Sequence, residues 1–159
     1  AVLACACPLL ALLLLLCISA FASFGDIVGM PSDYGRDNEA HTVAAFLEEN
    51  GLEYGYATFR NSNLLTPLTD SRVKVRGIAV SSEDGIYTDL YQSSSRWYDE
   101  SEHGKYEKYF ILLSESEYNA IAETGSWREL TASAGVAEEL RCGGWHVFVL
   151  RSDPQFVIK

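Results

Sequence analysis

The hydrophobic pattern divides the chain into an uncharged N-terminal stretch and a longer part in which apolar and polar positions alternate. The stretch from Ala1 to Phe24 carries no charged residue. A run of about 20 apolar residues is long enough for an α-helix to cross the hydrocarbon core of a bilayer. We therefore expect a transmembrane helix over residues 1–24, the last span of a longer protein. A linker over residues 25–35 and one soluble α/β domain over residues 36–159 should follow.

Two other interpretations of the N-terminal stretch stay open. Ala20-Phe21-Ala22 has the small-x-small form of a signal-peptidase site, but the stretch has no basic N-terminal region and is long for a signal peptide. A buried core helix would show a polar face, and Leu12 to Leu16 leave none. The charged residues that follow the stretch are mostly acidic, whereas cytoplasmic flanks are normally rich in Lys and Arg. We therefore expect the domain on the extracytoplasmic side of the cell membrane.

The periodicity after residue 35 predicts an α/β domain. Its predicted elements are a helix at 37–50, a strand at 54–59, a polar turn at 60–63, a short helix at 64–68, strands at 72–80, 86–91 and 108–113, two helices opened by Ser114 and Ser126, and a hairpin at 136–151. The apolar run at 108–113 favours a parallel strand covered on both faces. We expect a small, mostly parallel sheet with flanking helices and a C-terminal antiparallel hairpin, ending in a frayed tail from Ser152.

Local signals predict where the helices begin and end. Asp37 is expected to cap the first helix, and Gly51 to end it in the left-handed conformation. An N-cap for the second helix is expected among residues 61–63. Ser114-x-x-Glu117 has the form of a capping box, and Gly125 is expected to close the helix that it opens.

Composition excludes several function classes. The net charge is −10 and the pI about 4.6, which argues against binding to nucleic acid or to anionic lipid in general. Three cysteines lie in the N-terminal stretch, and Cys142 is the only one in the domain, so no disulfide forms within it. We interpret Cys142 as a small apolar residue. No spacing of His and Cys residues predicts a metal site, and we expect no cofactor.

The basic residues of this acidic chain are unevenly spread. Five of the twelve lie between Arg60 and Arg96. Three features of this region predict a ligand site: the polar turn after the first strand, the basic face of the second strand, and an aromatic loop. The candidate ligand-binding residues are Arg60, Asn61, Asn63, Arg76, Arg96, Trp97 and Tyr98. Arginine beside a helix N-terminus attracts anions, and tryptophan or tyrosine stacks on a sugar ring. The alternative is that these residues serve as helix caps, a solvated strand face and loop packing.

No catalytic motif is present in the sequence. The phosphate-binding loop, the zinc-protease helix, the nucleophile elbow and the dinucleotide fingerprint are all absent. We therefore assign no catalytic residue, and leave open whether the longer protein is an enzyme.

One resemblance covers nearly the whole chain. Its elements are the apolar span, the helix EAHTVAAFLEENGL, the segment Gly55-Tyr-Ala-Thr-Phe-Arg-Asn-Ser-Asn63, the strand Val73–Arg76, the loop Ser95–Tyr98 and the strand Lys108–Leu113. Together they resemble the C-terminal extracytoplasmic domain of bacterial multi-spanning membrane glycosyltransferases of the lipid-linked-sugar class, the relatives of protein mannosyltransferases. The resemblance implies a parent enzyme of the cell envelope that transfers sugar from a polyprenyl-phosphate donor.

The same resemblance implies the role of the domain. In that class the catalytic acidic residue lies in an early extracytoplasmic loop, so this domain would be accessory, binding the acceptor or a lipid phosphate. Its partners would be the upstream transmembrane part of the protein and a polyprenyl-phosphate sugar or glycan. The alternative is a single-pass, membrane-anchored extracytoplasmic binding or sensor domain without catalysis.

Overall fold

The computed structural model describes residues 2–29, 38–88, 90 and 93–158, without the side chains of residues 2–10, 26, 27 and 158. The chain divides into two units, residues 1–36 and 37–159. The predicted cap Asp37 and most of the predicted linker lie outside the described residues.

The first unit contains one long helix. Helix α1 extends over Val2–Val28, so its last four residues belong to the predicted linker at 25–35. Leu12 to Leu16 each expose about three-fifths of their surface. Among the described residues, no helix is both long enough and apolar enough to cross a membrane.

The second unit is an α/β domain, as the sequence predicts. Its helices are α2 (Glu39–Glu49), α3 (Phe59–Leu68), α4 (Glu100–His103), α5 (Glu115–Ile121) and α6 (Gly125–Ala134), with a 3-10 turn at Ser95–Tyr98. Its strands are β1 (Tyr54–Thr58), β2 (Lys74–Ser81), β3 (Gly85–Thr88), β4 (Tyr109–Ser114), β5 (Val136–Cys142), β6 (Trp145–Leu150) and the two-residue edge strand β7 (Val157–Ile158). They form one sheet in the order β5-β6-β4-β1-β2-β3-β7.

The sheet is mixed, so the prediction of a mostly parallel sheet is wrong. Strand β1 lies parallel to both β2 and β4, and β7 lies parallel to β3. The pairs β2–β3, β4–β6 and β5–β6 are antiparallel. The tight turns after β2 and β5 cause this, because a short connection returns the chain beside the strand it has just left. The predicted hairpin is confirmed: β5 and β6 pair across Gly143-Gly144.

Two hydrophobic cores cover the two faces of the sheet. Side chains alternate along β4, so Phe110 and Leu112 face one core while Ile111 and Leu113 face the other. The first core also contains residues of α2 and α3, and the second contains residues of α5 and α6. The domain therefore has three layers, with helices on both faces of the sheet.

The helix ends follow the predictions in part. Asn38 caps α2 with its side chain, which accepts the N–H of Ala40, and Gly51 follows with φ of +64° as predicted. Ser114 and Glu117 form the predicted capping box of α5. That helix already ends at Ile121, before Gly125.

Two predicted helix starts are wrong. Helix α3 begins at Phe59 directly after β1, with Thr58 at its N-cap position, so the predicted turn at 60–63 is helical. Helix α6 begins at Gly125, and its N-cap is Thr124 rather than Ser126, since the Thr124 hydroxyl accepts the N–H of Trp127 at 3.4 Å. In both cases a threonine earlier in the chain takes the capping position.

The C-terminal segment is part of the fold, which corrects the prediction of a frayed tail. Asp153 and Pro154 are buried, and β7 pairs with β3. The Tyr56 hydroxyl donates to Asp153 Oδ1 at 2.5 Å. This long-range contact carries no local sequence signal.

Candidate functional site

The structure distributes the predicted site residues over more than one cavity. Arg76, Arg96 and Trp97 line one cleft together. Asn63 lines a smaller neighbouring cavity of about 190 Å³, which also includes Arg76 and Trp97. Arg60 and Asn61 line a different cavity, at the carboxyl ends of β1 and β4.

The cleft that contains Arg76, Arg96 and Trp97, here called the basic cleft, has a volume of about 300 Å³. Its lining consists of the charged side chains Lys74, Arg76, Arg96 and Glu102 and the rings of Tyr54, Trp97, His103 and Tyr106. Three cations thus oppose one carboxylate in a chain whose net charge is −10. The local charge of this cleft is therefore opposite to that of the molecule.

Alternation along β2 brings two of these cations into the cleft. Val73 and Val75 are buried in the first core, so Lys74 and Arg76 point to the other face. Arg72, the third basic residue of the predicted face, lies before the strand and is turned away from the cleft. Its Nε donates to Glu48 Oε1 of α2 at 2.7 Å.

Aromatic rings hold the Arg76 guanidinium in place. Its central carbon lies 4.8 Å from the centre of the Trp97 ring and 5.7 Å from that of Tyr54. The Nε of Arg76 donates to the Tyr54 hydroxyl at 3.4 Å, and that hydroxyl donates to the Trp97 carbonyl at 2.6 Å. Stacking of this kind orients a guanidinium while leaving its outer N–H groups available.

Tyr54 remains neutral near pH 7. Burial raises the pKa of Tyr54 to about 12, although Arg76 acts in the opposite direction. Tyr54 stacks on Tyr106 with ring centres 4.7 Å apart, and the Tyr106 hydroxyl accepts a hydrogen bond from Lys74 Nζ at 3.2 Å. Tyr54 therefore adds no negative charge beside the cations of the cleft.

Among the ion pairs between described residues, none includes Lys74, Arg76 or Arg96. Elsewhere in the described part of the domain, arginines such as Arg72 and Arg141 pair with carboxylates. Among the described residues, Lys74 and Arg76 thus contact aromatic rings and form no ion pair, and Glu102 is the one carboxylate that lines the cleft with them.

Tyr98 has a structural role. Its hydroxyl donates to the carbonyl of Gly77 in β2, and its ring lies 6.1 Å from that of Tyr56, nearly parallel. These contacts attach the loop before α4 to the sheet. Tyr98 therefore positions Trp97 without lining the basic cleft itself.

A buried polar group lies beneath the cleft. The His103 and Asp153 side chains expose 6% and 2% of their surface, and His103 Nε2 lies 3.3 Å from Asp153 Oδ2. The His103 ring stacks on Tyr54 with centres 4.4 Å apart. No local sequence signal marks His103 as buried, because its partner Asp153 lies 50 residues away in the chain.

Sequence reasoning missed Tyr54 and Tyr106 as residues of this cleft. Lys74 belongs to the basic face of the second strand from which the site was predicted, since it alternates with Val73 and Val75. Tyr54 and Tyr106 carried none, because tyrosines in apolar strands and loops most often pack in cores.

The comparisons with known proteins give no relative. No protein-family model, no curated protein and no solved structure matches the chain.

Proposed function

We propose that the domain of residues 37–159 binds a phosphate-bearing ligand in the basic cleft. The observation that carries this proposal is Arg76, whose guanidinium is stacked between rings and has no carboxylate partner among the described residues. A planar guanidinium binds two phosphate oxygens at once, and Lys74 and Arg96 add positive charge in the same cleft. The aromatic faces suit a sugar or an isoprenoid next to the phosphate.

Within this proposal the domain is an accessory part of a membrane glycosyltransferase that uses a polyprenyl-phosphate sugar. The support is the sequence resemblance together with the charge and aromatic character of the cleft, which match the chemistry of such a donor. The domain supplies binding, and the transfer step belongs to another part of the longer protein.

We also propose that residues 1–24 hold the protein at the cell membrane with the domain on the extracytoplasmic side. The support is the uncharged sequence of this stretch and the exposure of its leucines in α1. A reporter that is active only outside the cytoplasm, fused after Lys159, should be active and should sediment with membranes. Activity of a cytoplasm-specific reporter instead would overturn the orientation.

Two variants, each of which removes one positive charge, test ligand binding in the basic cleft. The full chain in detergent micelles is titrated with a short-chain polyprenyl phosphate and with glucose 1-phosphate. Glucose is the uncharged comparison, and its affinity should be the same in wild type and Arg76→Gln. Arg76→Gln should weaken binding of the phosphates by about tenfold or more, since a hydrogen bond to a charged group contributes roughly 1.5–3 kcal/mol. Arg72→Gln removes an equal charge outside the cleft and should change the affinity less than about twofold, because surface charges at a distance are screened by salt.

Two results would contradict the proposal. One is equal phosphate affinity of wild type and Arg76→Gln. The other is an equal loss in both variants, which would indicate general charge attraction. The accessory role is tested in membranes that contain the longer protein, where Arg76→Gln should lower sugar transfer from a polyprenyl-phosphate donor and Arg72→Gln should not.

A further inference from the structure

A second cleft lies where the chain leaves β1 and β4 toward opposite faces of the sheet. The two strands are parallel neighbours, and their carboxyl ends are Thr58 and Ser114. After β1 the chain enters α3, which packs Leu65 into the first core. After β4 it enters α5, which packs Ile121 into the second core. Such a point of divergence leaves a crevice at the carboxyl ends of the strands, where α/β proteins commonly bind ligands.

This switch-point cleft has a volume of about 320 Å³. That value is at the lower end of the roughly 300–1,000 Å³ typical of small-molecule sites. The apolar part of its wall comes from Val43, Leu64, Leu65 and Leu112. Its size suits one small ring rather than an extended ligand.

The inner polar wall is held by a chain of hydrogen bonds. Glu117 accepts the backbone N–H of Ser114 on one oxygen and the Thr58 hydroxyl on the other, both at 2.7 Å. The Thr58 hydroxyl oxygen in turn accepts from Asn61 Nδ2 at 3.0 Å. Both oxygens of Glu117 are thus engaged, and the Asn61 amide is fixed through its nitrogen, while its carbonyl oxygen bonds to no other described residue.

The outer polar wall is held by Trp145 and Glu39. The indole N–H of Trp145 donates to Glu39 Oε1 at 2.6 Å, which joins the start of β6 to the first turn of α2. Within the described part of the chain, neither Glu39 Oε2 nor the Arg60 guanidinium has a hydrogen-bond partner. One carboxylate oxygen and one guanidinium therefore line the same cleft without being bonded to each other.

The lining selects for an uncharged, hydroxyl-rich ligand. Two carboxylates, Glu39 and Glu117, oppose the single cation Arg60, so an anion is disfavoured here, in contrast to the basic cleft. A carboxylate oxygen, an amide and a guanidinium together accept from and donate to hydroxyl groups, and an indole face covers the C–H face of a ring.

We propose that the switch-point cleft binds an uncharged monosaccharide ring. Glu39 accepts hydroxyl protons, Arg60 donates to ring or hydroxyl oxygens, and the Asn61 carbonyl accepts a further hydroxyl. This site is separate from the basic cleft and does not depend on the phosphate binding proposed for it.

The experiment titrates the full chain in detergent micelles with glucose, galactose, mannose and N-acetylglucosamine, followed by ligand-observed NMR. At least one of these sugars should bind at millimolar concentration, and inorganic phosphate should not displace it. Arg60→Gln and Asn61→Ala should each weaken that binding about three- to tenfold, the effect of one or two lost hydrogen bonds. The Arg60 side chain is exposed and bonds to no other described residue, so its replacement leaves the fold intact.

Asn63→Ala is the matched control, since Asn63 lies on the same helix but lines another cavity. It should leave sugar binding unchanged, and so should Arg76→Gln. Failure of all four sugars to bind, equal effects of Asn61→Ala and Asn63→Ala, or displacement by phosphate would each overturn the proposal. If Arg76→Gln loses phosphate binding but keeps sugar binding, the basic cleft and the switch-point cleft are two separate sites.

Discussion

At the scale of single residues, Gly55 shows how closely the centre of the sheet is packed. It lies in β1 opposite Phe110 of β4, and the Phe110 ring occupies the space that a Cβ at this position would need. Phe110 is completely buried in the first core. Gly55 is therefore required by a neighbouring side chain and not by its own backbone angles.

Gly55→Ala should lower the free energy of unfolding by about 1–3 kcal/mol, the usual cost of overpacking a core. Urea unfolding followed by far-UV circular dichroism measures the change. Gly125→Ala is the matched control, because nothing lies within 4 Å of a Cβ at Gly125. It should be neutral or slightly stabilising. Equal stability of Gly55→Ala and wild type would show that Phe110 is free to move.

At the scale of elements, one threonine joins α3 to β2. Thr69 is almost completely buried, and its hydroxyl oxygen lies within 3.2 Å of the carbonyls of Leu65, Thr66 and Val73. The same oxygen accepts the backbone N–H of Val73 at 3.2 Å. Between Thr69 and Val73, both Asp70 and Ser71 have positive φ, a backbone conformation that is uncommon for residues other than glycine. The hydroxyl thus stabilises a tight turn that aligns β2, and with it the cations that β2 brings to the basic cleft.

Thr69→Val should cost about 1–3 kcal/mol, because it leaves the buried N–H of Val73 without the hydroxyl that accepts it. Thr131→Val is the comparison, since among the described residues the Thr131 hydroxyl bonds only to carbonyls of its own helix, at 2.8 Å for Trp127. Its cost should stay below about 1 kcal/mol. Chemical denaturation measures the free energy of unfolding of both variants. Similar decreases in the two would mean that the turn does not depend on the Thr69 hydroxyl.

At the scale of the whole domain, the C-terminal segment closes the fold around a buried acid. Asp153 receives a hydrogen bond from Tyr56 in β1 and faces His103 in α4, so one side chain joins the tail, the sheet and the floor of the basic cleft. Burial raises the pKa of Asp153 above its ordinary value, although the bonds from Tyr56 and His103 act in the opposite direction, and Glu100 adds to the rise. The folded domain therefore binds this proton more tightly than the unfolded chain does.

The raised pKa of Asp153 predicts a definite pH dependence. A carboxyl whose pKa is raised in the folded state stabilises the fold most at pH values below its ordinary pKa of about 3.9, and this contribution falls as pH rises through the folded pKa. The stability difference between wild type and Asp153→Asn should therefore shrink from acid toward neutral pH. The amide oxygen of the variant side chain can still accept from Tyr56, so the fold is kept.

Thermal and urea unfolding between about pH 3 and pH 7, the range on either side of an ordinary carboxyl pKa, measures this difference. The same comparison in a His103→Gln background removes the imidazole that faces Asp153. A difference that stays constant, or that grows with pH, would show that Asp153 is ionised more easily in the folded domain than its burial implies.

The sequence alone determines those features of the domain that form between residues close together in the chain. The alternation of Val73, Val75 and Arg76, the Gly143-Gly144 hairpin turn, and the Ser114–Glu117 capping box all appear where the sequence predicts them. Each depends on backbone geometry or hydrogen bonds within a few residues, so the local pattern contains the necessary information. The presence of Arg76, Arg96 and Trp97 in one cleft fits the sequence-based hypothesis of a shared site, which binding experiments must test.

Tertiary structure alone decides the features that join distant parts of the chain. The pairing of β6 with β4 joins strands from separate parts of the chain, and residue spacing does not specify which strands become neighbours. Arg60 and Asn61 face the switch-point cleft rather than the basic cleft, because α3 begins one residue after β1 and lies over the first core. The pairing of His103 with Asp153 joins residues 50 positions apart. Such contacts form only when the whole core packs, since the cost of closing long loops is repaid by burial across the entire domain.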